Sequence, residues 1–277
     1  MTIPKRILGR TGQAVTILGL SGEGVLRTYG RDREAYRLVN RALDLGITYC
    51  ESARAYSGSE AYYGQALRER RKDIFLTSKS HARDRAGALV HLHETLSNMR
   101  TDHLDLWQVH DVREEEEVGE IFGPRGAVEA FVQAKQEGKI RFIGITGHHS
   151  PAIIRACLER FDFDTVLMPV NPAEEGGNGF ITEVLPLARQ RGMGIVGMKV
   201  YFRGFATQLP WFTSMEPFLR FALSQAVTNI VIGCDDITQL EENARMARDF
   251  APMTADEQQK LVQDTGPFAR QLTYYKP

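Results

Sequence analysis

Short apolar runs rich in β-branched residues alternate with segments whose apolar residues recur at helical spacing, and the alternation repeats eight times. Strand-like runs fall near 15–20 and at 47–50, 74–78, 104–109, 140–145, 165–168, 195–198 and 229–232, and helical patterns at 34–45, 59–70, 85–99, 127–137, from 151, and at 181–191, 216–223 and 238–250. In the first helical stretch Tyr36, Leu38, Val39, Ala42 and Leu43 share the spacing, and Gly46 stands where a left-handed stop is wanted. Strands that alternate with helices are joined by right-handed crossovers into a parallel sheet, and eight such units close into a barrel. The expected fold is one (β/α)8 TIM barrel over residues 1–277, with an N-terminal β-hairpin in 5–19 around Gly9-Arg10-Thr11-Gly12 and an extra C-terminal helix within 253–269. A barrel of this type takes about 250 residues, so the length fits.

The 34 basic and 35 acidic side chains leave a formal charge of −1, which offers neither nucleic acid nor a membrane surface a field to follow. Cys50, Cys157 and Cys234 are scattered singly, without the spacing of a metal or redox motif, and suit a reducing compartment. The opening MTIPKRILGR has no apolar signal core and no stretch approaches the roughly 18 apolar residues of a membrane span, so a cytoplasmic protein is expected, as a monomer or small homo-oligomer.

Chemistry concentrates where strands end. Glu51 and Tyr56 follow the second barrel strand, Lys79 follows the third and His110 the fourth, so a parallel barrel would bring carboxylate, phenol, amine and imidazole to one rim. A phenol with an unperturbed pKa of about 10 is a slow acid or base until something tunes it. A neighbouring ammonium does so by favouring the phenolate, a carboxylate keeps that ammonium charged and in place, and an imidazole adds a second donor to the oxyanion developing on a carbonyl. Lys79 lies three residues beyond the apolar run Ile74-Phe75-Leu76, at a barrel mouth where an unpaired charge is costly.

These residues sit in motifs that resemble the aldo-keto reductase family across nearly the whole chain. The resemblance lies in LGRTGQAVTILGL, in GITYCESARAYSGSE, in Ser78-Lys79, in DLWQVH, in GKIRFIGIT and in IGCDDITQLEEN. It implies a barrel that binds NADP or NAD in extended form and transfers a hydride between the nicotinamide C4 and an aldehyde, ketone or alcohol of small size. Tyr56 would protonate the oxygen, Lys79 would lower the Tyr56 pKa, Glu51 would anchor Lys79 and His110 would orient the carbonyl. Cofactor contacts would come from Gly22, Thr146, Gly147, Met198, Lys199, Gly233, Asp235, Gln239, Glu242 and Asn243. No metal is implied.

The chain also departs from the family pattern. Glu51 replaces an aspartate and is one methylene longer; Thr146-Gly147 stands where the family has Ser-Asn; Leu167 or Met168 stands for a glutamine; and Met198 beside Lys199 stands for a stacking tyrosine. At the adenosine end Gly233, Asp235, Asp236 and Gln239 occupy positions where cations for a 2′-phosphate are usual, so NAD is expected to serve at least comparably to NADP. Two further readings remain open. Glu51 and the altered carboxamide contacts suit a weakly active nicotinamide-binding sensor or regulatory subunit, and His91, His93 and His148 suit a metal-dependent hydrolase. Between His110 and Ala127 lies a long connection with four consecutive glutamates, Glu114 to Glu117, either a solvated helical turn or a lid that turns away anions.

Overall fold

The computed structural model describes residues 2–176 and 178–276; Met1, Gly177 and Pro277 of the expected 1–277 span lie outside the described residues. The strands are β1 Lys5–Ile7, β2 Ala14–Thr16, β3 Leu18–Gly24, β4 Tyr49–Glu51, β5 Phe75–Ser80, β6 Leu104–Val109, β7 Ile140–Thr146, β8 Thr165–Pro169, β9 Gly194–Met198 and β10 Asn229–Cys234. The helices are α1 Asp32–Asp44, α2 Ser59–Leu67, α3 Arg85–Met99, α4 Glu115–Phe122, α5 Ala127–Gln136, α6 Pro151–Arg160, α7 Phe180–Glu183, α8 Leu185–Gln190, α9 Glu216–Ser224, α10 Ile237–Arg248, α11 Ala255–Thr265 and α12 Ala269–Leu272. β3 to β10 form a closed barrel in sequence order, with β10 returning to pair with β3, and each neighbouring pair is parallel.

Alternation along each strand separates two cores. Leu8, Val15, Tyr49, Phe75, Leu106, Leu167, Val196 and Val231 fill the barrel interior. The outward residues meet the helices, as where Trp107 of β6 stacks on Phe131 of α5 at 3.7 Å between ring centres. In α1 the inward stripe is Ala35, Leu38, Val39 and Ala42, while Tyr36 points out and is 44% exposed.

Two expectations about elements need correction. The first barrel strand is Leu18–Gly24, and Val15 belongs to the hairpin instead, because Thr16 bends the chain: its hydroxyl donates to the Leu18 carbonyl at 2.7 Å. The single helix expected at 181–191 is two, α7 and α8, because Pro186 at the start of α8 has no N–H to continue the ladder. The acidic connection carries a real helix, α4, whose first turn is capped by Glu114 and Glu117 in a reciprocal box. The expected C-terminal helix is present as α11, with Thr254 and Glu257 capping it in the same way.

Candidate active site

Register sets the rim. Glu51 is the last residue of β4 and pairs with Thr77 of β5, and Lys79, two residues on, pairs with Gln108 of β6; alternation then points Glu51, Lys79 and His110 inward at the C-terminal edge. Tyr56 reaches the same place from the loop between β4 and α2. Glu51 and Lys79 are each 1% exposed and are in direct contact through Oε1 and Nζ. The other carboxylate oxygen accepts the Ser21 hydroxyl of β3 at 2.7 Å. The Lys79 ammonium also donates to the Ser52 carbonyl at 2.8 Å and to the Tyr56 hydroxyl at 3.4 Å. The extra methylene of Glu51 is thus absorbed without losing the ion pair, which removes one of the two features that suited a weakly active barrel.

Burial pushes the Lys79 ammonium well below its ordinary value, with the Glu23 and Asp111 carboxylates pulling upward against Arg27 and Lys199, and the Glu51 carboxylate is the acid in direct contact with it. The Tyr56 hydroxyl is raised, first by burial and then by the Glu23 carboxylate, with Arg27 pulling the other way, so at neutral pH it carries its proton. His110 is 9% exposed and held well below 6.5, by burial and then by the Lys79 charge, so it is a neutral imidazole. Its ring stands edge-on to Tyr56 at 5.7 Å and 82°.

From Tyr56 a cavity of about 860 Å³ runs past the ends of β3, β9 and β10 to the start of α10. Of the expected cofactor residues, Met198, Lys199, Gly233, Asp235, Gln239, Glu242 and Asn243 line it. Leu167 does so as well, whereas Met168 turns outward into the helix-side core. Gly22, Thr146 and Gly147 do not line it. A side chain at Gly22 would meet Ser59 of α2, and one at Gly147 would press on the Ile154 side chain of α6, which would have to shift to admit the amide-bearing residue of the family pattern. Thr146 is buried at 1% exposure, with its carbonyl accepting the Val112 N–H at 3.2 Å. Asp236 faces its own helix as the cap of α10, accepting the Gln239 N–H at 2.9 Å.

The sequence reading missed residues that matter here. Glu23 of β3 accepts from Arg27 at 2.8 Å and lies 3.7 Å from Arg203, on the loop after β9. Arg27 covers the Tyr56 ring at 4.9 Å. Tyr201 donates to the Asn243 side chain at 2.7 Å. Lys199 lies 5.8 Å over both the Tyr274 and Tyr275 rings, and Tyr275 is fixed by donating to the buried Glu174 at 2.7 Å while Lys276 donates to the same carboxylate at 2.6 Å. A charged residue within a few positions of a barrel strand's C-terminal end was the signal that would have picked out Glu23, Arg27 and Arg203.

Other features find quieter roles. His91 meets Ser80 at 2.9 Å and packs against His81 at 4.5 Å, while His148 lies 3.2 Å from Asp111 on another loop, so the suggested histidine set does not converge. Among the described residues no group of three or more His, Cys, Asp or Glu is placed to hold a metal ion. None of Glu114 to Glu117 lines the cavity; Glu117 pairs with Arg83 at 2.9 Å and Glu115 with Arg160 at 3.3 Å. Among the described residues no helix is long and apolar enough to cross a membrane.

Comparison with known proteins agrees with this fold. The model of the aldo/keto reductase family matches residues 17–210. An uncharacterized oxidoreductase of Bacillus subtilis (strain 168) is 24% identical, with 94% of this chain and 95% of that protein covered. L-galactose dehydrogenase of Arabidopsis thaliana is 25% identical, with 92% of each covered. Among solved structures, the holo form of an aldo-keto reductase from Bacillus halodurans superposes with a TM-score of 0.80 at 24% identity, covering 95% of this chain and 96% of that one. An aldo-keto reductase from Klebsiella pneumoniae in complex with NADPH gives 0.77 at 19% identity, covering 97% and 96%. With a closed eight-stranded parallel barrel and most of its length matched by the family model, the chain belongs to the aldo/keto reductase family and is an NAD(P)-dependent oxidoreductase.

Proposed function

We propose that this chain reduces aldehydes or ketones to alcohols, or runs the reverse, with Tyr56 as the proton donor. What carries the reading is the convergence of Lys79 and His110 on Tyr56, with Tyr56 and Glu51 themselves lining one end of a cavity whose far end carries the polar side chains of Gln239, Glu242 and Asn243. The cavity suits a nicotinamide dinucleotide. Leu167 and the Met198 thioether offer an apolar wall to a ring, Arg27, Lys199 and Arg203 offer cations to a diphosphate, and Gln239, Glu242 and Asn243 offer polar edges to adenosine. When bound, that group supplies or takes up the hydride.

The protein's share of the chemistry is proton handling and orientation. The Tyr56 hydroxyl gives its proton to the carbonyl oxygen, and the Lys79 ammonium 3.4 Å away stabilises the phenolate left behind. Glu51 keeps Lys79 charged. The neutral His110 imidazole donates to the same oxygen and fixes the direction of approach.

NAD is proposed to serve at least comparably to NADP. The lining residues around α10 include the carboxylates of Asp235 and Glu242, which repel a 2′-phosphate and accept from a free ribose hydroxyl, while Arg245 and Arg248 are not among them. Titrating NADH and NADPH by fluorescence, then following their single-turnover oxidation against a panel of aldehydes and ketones, tests both parts. Comparable dissociation constants and oxidation by at least one carbonyl are expected. NADPH binding more than about tenfold tighter, roughly 1.4 kcal/mol, would overturn the NAD reading, and tight binding with no oxidation would overturn the reductase.

A further inference from the structure

Behind His110 stands an arginine that the chemistry above does not use. Arg83, on the loop between β5 and α3, is 15% exposed and spends its guanidinium on three groups. Nη1 donates to the His110 carbonyl at 2.8 Å, Nη2 to the Asp111 carbonyl at 2.9 Å, and Nε to Glu117 Oε1 at 3.0 Å. The other Glu117 oxygen accepts the backbone N–H groups of Arg113 at 2.6 Å and Glu114 at 3.3 Å. One rigid fork therefore joins two consecutive peptide carbonyls, at the point where the chain leaves β6, to the first turn of α4.

That point of the chain needs holding. Asp111 has φ of +54°, in the left-handed region, where a residue with a Cβ costs on the order of 1 kcal/mol or more unless its surroundings determine it. The His110 ring needs holding too. Its Nδ1 is buried and bonds to no protein group among the described residues, so no side-chain partner aims the imidazole in the way that a carboxylate or carbonyl commonly does. The direction of the ring is left to the backbone that carries it.

We infer that Arg83, braced by Glu117, is the positioning residue for His110: by fixing the peptide planes of His110 and Asp111 it keeps the imidazole turned toward Tyr56. The inference rests on the reading of His110 as donor to the carbonyl. It also gives the acidic run a division of labour, with Glu114 capping α4, Glu117 bracing Arg83 and Glu115 on the surface with Arg160. Arginine is required because a lysine ammonium, with one nitrogen, does not span both carbonyls and the carboxylate.

The test compares Arg83→Gln, Arg83→Lys and Glu117→Gln in the wild-type and His110→Ala backgrounds, with cofactor affinity by fluorescence and the His110 ring resonances by NMR. Arg83→Gln should lower kcat/KM about 10- to 100-fold, Arg83→Lys nearly as much and Glu117→Gln less, with cofactor affinity unchanged and the His110 resonances displaced. In the His110→Ala background Arg83→Gln should add no more than about a twofold loss, because the two act through one group. Near wild-type turnover by Arg83→Lys, undisturbed His110 resonances in folded Arg83→Gln, or the full loss repeated without His110 would each overturn the inference. Full activity of His110→Ala together with displaced resonances in Arg83→Gln would support the brace and remove His110 from the reaction. Should Arg83→Gln fail to fold, Arg83→Lys and Glu117→Gln give the same readouts.

Discussion

At the end of the barrel closed by the hairpin, the turns after α1 and α8 enter the left-handed region on Gly46 and Gly192, at φ of +87° and +65°. At the opposite end the same region is occupied by Ser57, Asp111, Lys199, Phe202 and Arg203, at +21°, +54°, +58°, +52° and +60°. Arg68 and Arg100 are exceptions at the first end, Gly24, Gly30 and Gly204 at the second. The interiors differ in the same sense. Leu8 and Val15 plug one end with hydrocarbon, while the other buries a carboxylate, an ammonium and a neutral imidazole. A turn made by glycine is relaxed, whereas one made by a side-chain-bearing residue costs roughly 1–3 kcal/mol and persists only where neighbours hold it. One end therefore supplies stability, and the other draws on it to hold reactive groups in place.

Substitutions at the two ends should separate rate from stability. Tyr56→Phe, at the strained end, should lower kcat about 10²–10⁴-fold with cofactor affinity and melting temperature unchanged, as for an interaction made only in the transition state. Retention of more than about a tenth of the rate would take the proton-donor role from Tyr56. Leu8→Ala, at the plugged end, should cost about 2–5 kcal/mol in urea unfolding and leave the kcat of the folded fraction alone; a matching loss of kcat would show that the two ends are mechanically joined.

The smallest effect is in pH. Burial holds His148 down to about 4 from an ordinary 6.5, with the Asp111 carboxylate pulling it upward. Because the unfolded chain takes up the proton first, the contribution of the neutral ring is complete above about pH 6.5. It is lost as pH falls toward 4, by at most about 3 kcal/mol. His148→Gln should flatten the melting temperature over that interval, and an unchanged slope would mean that other groups govern it.

How much of this was readable beforehand follows the range of each interaction. The eight strands of the barrel were legible because period-two and period-3.6 patterns are local, and Glu51, Tyr56, Lys79 and His110 because a strand's C-terminal end marks the rim whatever its neighbours are. The hairpin boundary was not, since a single hydroxyl at Thr16 decides where the chain bends. Nor were the pairing of Glu23 with Arg203 and that of Glu174 with Tyr275 and Lys276, because these groups meet only after the barrel closes and brings distant segments together. The use of Glu117 was equally hidden: four glutamates in a row look alike until Arg83 arrives from a different loop to select one.

Closure also decides what the molecule shows to its neighbours. A sheet whose last strand pairs with its first has no unpaired edge to offer another chain, so among the described strands only the hairpin keeps free backbone donors and acceptors. There β1 is three residues long, opens with Lys5 and Arg6, and is tied down by Arg6, which donates to the carbonyls of Val227 at 2.8 Å and Leu223 at 3.1 Å. Short length, positive charge and an anchored side chain are the features that discourage strand-to-strand pairing between molecules. Among the described strands, the place from which a cross-molecular sheet could be seeded is therefore blunted by its own length and charge.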